Sequence, residues 1–122
     1  MGENRIKLVA ADMDGTLLNR ERKITKYTQD VIKKAMAQGV YFVPATGRAV
    51  NALPPELKEM EGIRYGIFSN GATIYDLKEE KVIYKNHFEM DRVLELMDFL
   101  KQFDLMESIS LNGQSYANKK EM

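Results

Sequence analysis

Two carboxylates stand one residue apart in Asp12-Met13-Asp14-Gly15-Thr16-Leu17-Leu18, directly after the short apolar run Ile6 to Ala11. Such a pair can divide labour. One member attacks as a nucleophile, while the other donates a proton to the leaving group and then activates water. The like charge next door is expected to raise the pKa of whichever carboxylate carries the proton. Two clustered carboxylates also repel each other unless a cation lies between them, and oxygen donors of this kind suit Mg²⁺. Gly15 permits a backbone conformation closed to other residues, and Thr16 offers an anion a hydroxyl and an amide. As a bare tetrapeptide, Asp-x-Asp-Gly reads equally well as a turn closed by Asx hydrogen bonds. An EF-hand shares the spacing, but it needs a preceding helix and a Glu at the twelfth loop position, which counted from Asp12 is Lys23.

Ala45-Thr46-Gly47-Arg48 forms a second constellation. A Thr hydroxyl and the amides that follow it suit a phosphoryl oxygen, and Arg48 adds a charged donor. The same tetrapeptide also reads as a helix start capped by Thr46. Asn70-Gly71 is a third signal, either a tight turn or a substrate contact. His87 is the only histidine, has no partner motif, and reads as a solvated loop residue. Lys33-Lys34 reads as a solvated pair, and most of the eight methionines read as core filler.

The elements that must position these groups are legible in the punctuation. Ile6 to Ala11 has strand length and suits a buried parallel strand. A helix is expected over 26–38, capped by Thr25 and stopped by Gly39, with Ile24, Tyr27, Val31, Ile32, Ala35 and Met36 on its apolar face. Val40 to Val43 is strand-like, and a helical stretch over about 48–60 is interrupted by Pro54-Pro55. Arg64 to Ser69 is a third strand, and 72–75 with 81–84 makes an antiparallel hairpin. Asp91 begins a second amphipathic helix with Val93, Leu96, Met97, Leu100 and Phe103 in one stripe; 106–111 and 114–118 then flank an Asn112-Gly113 turn. Strand, helix, strand, helix is the rhythm of a parallel α/β sheet, and in such sheets the carboxyl ends of the strands face the ligand crevice.

An apolar first strand followed by Asp-x-Asp-Gly-Thr-Leu, with Ala-Thr-Gly-Arg after the second strand and Ser69-Asn70-Gly71 after the third, closely resembles the haloacid dehalogenase superfamily of phosphohydrolases and its Cof-type branch. The resemblance implies an α/β, Rossmann-like, three-layer parallel sheet, present here in incomplete form with a β-hairpin and the start of an α+β cap. It divides the chain into a partial core over 1–86 and the beginning of the cap over 87–122. It makes Asp12 the nucleophile and Asp14 the acid–base residue, with both holding Mg²⁺. It makes Thr16, Thr46, Gly47 and Arg48 phosphate-binding and sets Asn70 and Gly71 near the substrate. A small phosphorylated metabolite is the implied substrate. A phosphoacceptor receiver domain also places acids after its first strand, but it needs an acceptor Asp where this chain has Ser69-Asn70-Gly71.

Two parts of the family pattern have no counterpart, namely the motif-three Lys and the motif-four acidic pair. After Asn70 the lysines are Lys78, Lys81, Lys85, Lys101, Lys119 and Lys120, and none follows a fourth parallel strand. The chain is therefore expected to be the amino-terminal part of a longer hydrolase, of low or no activity alone, or else a non-catalytic interaction protein on the same half-domain. Without later strands beside it, the first strand becomes an edge that invites self-association. Pro44, which cannot donate to a ladder, should sit at a strand end or beside a gap in pairing.

Composition narrows the remaining classes. The 122 residues carry 18 basic and 18 acidic side chains, with no cysteine. Residues 1–61 hold ten basic and eight acidic groups and residues 62–122 eight and ten, so neither half has the basic excess that nucleic acid or an anionic membrane demands. Absent cysteines exclude disulfides and thiolate chemistry and fit a cytoplasmic setting. Gly2 is not followed by the Ser or Thr of a myristoylation site, since Ile6 stands there, and no leader or membrane span is expected. The charged Lys119–Met122 end is expected to fray.

Overall fold

The computed structural model describes residues 5–118, so the Met1–Asn4 start and the Lys119–Met122 end lie outside the described residues. β1 (Leu8–Asp12) pairs in parallel with β2 (Tyr41–Ala45) along its whole length, from Leu8 opposite Tyr41 to Asp12 opposite Ala45. β3 (Tyr65–Phe68) joins β2 in parallel at Ala45 and Ile67. β4 (Thr73–Asp76) and β5 (Lys81–Lys85) complete the sheet as an antiparallel hairpin, giving the order β1-β2-β3-β4-β5. Pro44 lies where β2 has β1 alongside but no register partner in β3, which removes the need for a donor on that side.

The crossover from β1 to β2 runs through α1 (Lys26–Ala37). Thr25 caps it by accepting from the Thr28 amide at 3.2 Å, and Gly39 ends it with φ +88°. Ile32 is the residue this helix buries, whereas Tyr27 remains 80% exposed. The core gathers Met13, Leu18, Ile24, Ile32, Phe42, Val50, Leu53, Leu57, Met60, Ile63 and Phe68 between the sheet and the loops. Phe68, fully buried, folds its ring back over Gly66, where an added Cβ would come within 2.5 Å of the ring, and meets Tyr75 edge-on at 6.4 Å.

Four expectations need correction. The first strand starts at Leu8 rather than Ile6 and is not the buried strand its apolar run suits, whereas its expected edge position is found, with nothing among the described residues packed on its far side. The expected helix over 48–60 is instead a 3₁₀ turn at Val50–Ala52 and a single α-turn, α2 (Pro55–Lys58). Leu53 and Pro54 are both extended, ψ 131° and 139°, because each precedes a proline whose ring excludes the helical conformation. The second amphipathic helix, α3 (Met90–Leu100), brings no residue fully into the core: Val93, Met97 and Leu100 are half-buried, while Leu94, Leu96 and Phe99 stay exposed among the described residues. Of the methionines, Met13 and Met60 are core residues, while Met90 and Met106 are exposed.

A second small sheet, β6 (Ser108–Leu111) with β7 (Gln114–Ala117), turns through Asn112 and Gly113 with positive φ at both. Its turn sits on the loop after β2. The Val50 amide donates to the Gly113 carbonyl at 2.6 Å, and Asn51 exchanges hydrogen bonds with the Ser115 backbone.

The β4–β5 turn is held by a buried carboxylate. Asp76, 2% exposed, accepts from the Lys78 and Glu79 amides and from both Nε and Nη2 of Arg64, whose guanidinium also lies over the Tyr65 ring. The Glu79 amide leads these donors in holding the Asp76 pKa below its ordinary value, against the opposing effect of burial. Its stabilising contribution is therefore complete above the unfolded carboxylate value near ~3.9 and disappears as pH falls through the lower folded value. Thermal melts from pH 7 downward are expected to show Tm falling below about pH 4, with Asp76→Asn flattening that dependence. An identical slope in the variant would contradict the assignment.

Candidate active site

The carboxyl ends of β1 and β2 bring the first two motifs side by side. Asp12 closes β1 opposite Ala45, so Thr46 follows one residue beyond its neighbour. The chain then leaves β1 in a tight wide turn, Met13–Leu17, in which Gly15 takes φ +80° and the Leu18 amide returns to the Met13 carbonyl at 2.9 Å. Buried Met13 anchors the turn in the core and leaves Asp12, Asp14 and Thr16 at the surface. Thr16 donates its hydroxyl to Asp12 Oδ2 at 3.2 Å, which orients the carboxylate and leaves its other oxygen outside that bond.

Thr46, 6% exposed, is pinned on three sides. Its amide donates to the Ile67 carbonyl, its carbonyl accepts from the Asn70 amide, and its hydroxyl accepts from the Arg48 amide at 3.0 Å. The Ser69 amide donates to the Arg48 carbonyl, so the turn after β3 is zipped to the loop after β2. Asn70 thus joins the site through its main chain, Gly71 follows it in sequence without such a bond among the described residues, and Ser69 and Asn70 are both in the left-handed region. A Cβ on Gly47 would come within 2.8 Å of Asn70 Oδ1, so only glycine lets the Asn70 side chain lie so close.

Arg48 is the residue whose place the motif spacing did not reveal. Its guanidinium forks onto Asp14, with Nε to Oδ2 at 2.9 Å and Nη2 to Oδ1 at 2.7 Å, and Nη1 donates to the Ala52 carbonyl. That fork holds the Asp14 pKa below its ordinary value, which reverses the upward shift expected from the neighbouring carboxylate. Asp14 is therefore ionised near neutrality in this arrangement. Arg48→Ala is expected to move the Asp14 titration upward toward the ordinary carboxylate value, as read by carboxyl-carbon NMR. An unmoved titration would show that the fork does not persist in solution.

Beside Asp14 opens a groove of about 810 Å³ lined by Asp14, Asn19, Arg20, Arg22, Arg48 and Ala52, among others. Asp12 and Thr46 are not part of its lining. Arg20 and Arg22 escaped the sequence reading; the basic run Arg20-Glu21-Arg22-Lys23 just past the acidic motif was the available signal.

As for a metal, the Asp12 and Asp14 carboxylates and main-chain carbonyls are hard oxygen donors of the type Mg²⁺ takes, and they fit it as a partial set. Among the described residues no group of three His, Asp or Glu side chains converges to complete a site.

Parallel strands that end in a carboxylate pair and a threonine at adjacent tips put these groups where open α/β folds bind their ligands. The chain belongs to the haloacid dehalogenase-like hydrolase family, whose model matches residues 9–122. A Buchnera aphidicola (subsp. Schizaphis graminum) protein is 39% identical over 115 residues, which is 92% of this chain and 41% of that protein. The 5-amino-6-(5-phospho-D-ribitylamino)uracil phosphatase YcsE of Bacillus subtilis is 37% identical over 89 residues, 70% of this chain and 36% of the enzyme. Among solved structures, a superfamily phosphatase from Bacteroides thetaiotaomicron superposes with TM-score 0.72 at 30% identity, over 97% of this chain and 43% of the other. The chain thus spans about two fifths of the length of these relatives.

Proposed function

We propose that this chain carries the nucleophile half of a Mg²⁺-dependent phosphomonoesterase that acts through an aspartyl-phosphate on a small phosphorylated metabolite. The observation that carries the reading is the placement of Asp12 and Thr46 at the tips of paired strands, with Thr16 holding one Asp12 oxygen. The outward Asp12 oxygen attacks phosphorus, a P–O bond to Asp12 forms, and the P–O bond to the leaving group breaks. Thr46, Gly47 and Arg48 receive the phosphoryl oxygens, with Thr16 beside them. Asp14 protonates the departing oxygen and later takes a proton from the water that attacks the aspartyl-phosphate. The first of these roles requires the Arg48 fork to loosen, since it holds Asp14 ionised. Asp12 and the Asp14 backbone carbonyl are the residues that would hold Mg²⁺, which when bound offsets charge on the phosphoryl oxygens.

Residues 1–86 make a partial core and 87–122 the start of a cap in this reading, with Asn70 and Gly71 at the substrate side. No motif-three Lys or motif-four acidic pair is present in the sequence, so the chain alone is of low or no activity. The absent cysteines suit the cytoplasm, and the balanced charge argues against nucleic-acid or membrane partners. No helix among the described residues is long and apolar enough to cross a membrane.

Hydrolysis of p-nitrophenyl phosphate in Mg²⁺ tests the proposal. A slow rate that vanishes on chelation and in Asp12→Asn supports it, and a rate indifferent to both contradicts it. The exposed Leu94, Leu96 and Phe99 of α3 and the missing motifs favour a second reading, a non-catalytic interaction protein on the same half-domain. Either reading leaves β1 as a bare edge, with Leu8 and Val9 exposed beside unpaired backbone groups. Self-association through β1 is therefore expected in light scattering, and Val9→Lys should reduce it. A clean monomer with a sharp cooperative melt would sink that expectation.

A further inference from the structure

The groove beside Asp14 has a charge pattern that the proposed reaction at phosphorus does not use. Three of its lining residues are arginines and one is an aspartate, so the lining carries a net excess of positive charge. Arg48 is committed to Asp14 and Ala52. Arg20 and Arg22 are exposed, and no side-chain hydrogen bond or ion pair engages their guanidinium groups in the described structure. Arg22 and Asp14 line the same groove.

Their loop is built rather than loose. Asn19 accepts the Glu21 and Lys23 amides on Oδ1 at 2.9 and 3.0 Å, its amide donates to the Lys23 carbonyl, and its carbonyl accepts from the Arg22 amide. Within this closed loop Arg22 is held at φ +60°, a left-handed conformation that costs energy for a side chain of its kind. The groove excludes Asp12 and Thr46 from its lining and includes Asp14, the residue assigned to the leaving oxygen. It therefore lies on the leaving-group side of the reaction, and its volume of about 810 Å³ suits a small metabolite.

We propose that Arg20 and Arg22 form a leaving-group subsite that selects substrates bearing a second anionic group, phosphate or carboxylate, beyond the ester that is cleaved. The inference rests on the phosphatase reading, because that reading is what makes Asp14 face the leaving group. Guanidinium forks match both anions, and two of them on one loop reward a second charge that a neutral sugar alcohol cannot offer.

Binding of three probes to the intact chain in Mg²⁺ and low salt tests it by calorimetry: glycerol 1-phosphate, 3-phosphoglycerate and fructose 1,6-bisphosphate. The bisphosphate is expected to bind about tenfold more tightly than glycerol 1-phosphate. 3-Phosphoglycerate reports whether a carboxylate serves as well as a phosphate. The advantage should vanish in the Arg20→Ala/Arg22→Ala double variant, survive in large part in Arg20→Lys/Arg22→Lys, and shrink as salt rises. Equal affinities for all three probes, or a preference that persists in the alanine double variant, overturns the subsite and leaves the phosphatase reading intact. Binding that ignores both Mg²⁺ and Asp12→Asn counts against the phosphatase reading, and failure of every probe to bind overturns both.

Discussion

Phe68→Ala is expected to destabilise the protein by about 3–5 kcal/mol, the largest stability effect of any single truncation here. Phe68 is fully buried, reaches the core cluster from the centre of the sheet and lays its ring over Gly66, so its truncation leaves a cavity there. Domains of this size have only about 5–15 kcal/mol in total, so the variant should lose a large share of its stability. The loss should also reach the site. Phe68 immediately precedes Ser69 and Asn70, whose amides hold the Arg48 and Thr46 carbonyls. Urea titration followed by circular dichroism measures the effect, and Phe68→Leu, which retains most of the apolar volume, should cost far less. A Phe68→Ala midpoint within error of the parent would show that the β3 face is not the centre of the core.

Asp12→Asn is expected to weaken the Mg²⁺-dependent binding of fluoroberyllate by at least about a hundredfold. Beryllium bonds to a carboxylate oxygen in place of phosphorus, and the amide oxygen of Asn carries neither the charge nor the second equivalent oxygen. Thr16 holds one oxygen of Asp12, and the substitution keeps that acceptor, so loss of binding cannot be blamed on loss of the turn. Fluorine NMR with and without Mg²⁺ reads the complex directly. Binding that survives Asp12→Asn unchanged would remove Asp12 from the nucleophile's role.

The sequence predicts the parts of the fold that rest on local chemistry. Thr25 and Gly39 bound α1, the alternation around Asp76 to Glu80 marks the β4–β5 hairpin, and the strand ends fall beside Asp12 and Ala45. Among the described residues β1 is an edge strand, as comparison with the family pattern predicts. Its exposure is what local apolarity alone could not show: Leu8 and Val9 look like core residues until the neighbours are counted. The same holds for Leu96 and Phe103, whose period promises a buried stripe but which stay exposed among the described residues. In the stretch after Arg48 the break at Pro54-Pro55 was legible, but not that the two prolines leave only one short helical turn on either side.

At the site, residue types were legible and pairings were not. Asp12, Asp14, Thr16, Thr46 and Arg48 could be picked from motifs, but which carboxylate Arg48 would meet depends on the fold of the turn around Gly15. The sign of the Asp14 shift followed the nearer cation rather than the neighbouring anion. Arg20 and Arg22 went unread because a run of exposed charges is ordinarily a solvated face, and only the groove gives them a common direction.

The most direct measurement is to trap the covalent step. The chain is mixed with acetyl phosphate and Mg²⁺, quenched in acid and digested, and its peptides are weighed by mass spectrometry. A phosphoryl group on the carboxylate of Asp12, absent without Mg²⁺ and absent in Asp12→Asn, is the predicted result. Phosphoryl transfer to another residue, or a modification of the same peptide that persists in Asp12→Asn, would contradict the account.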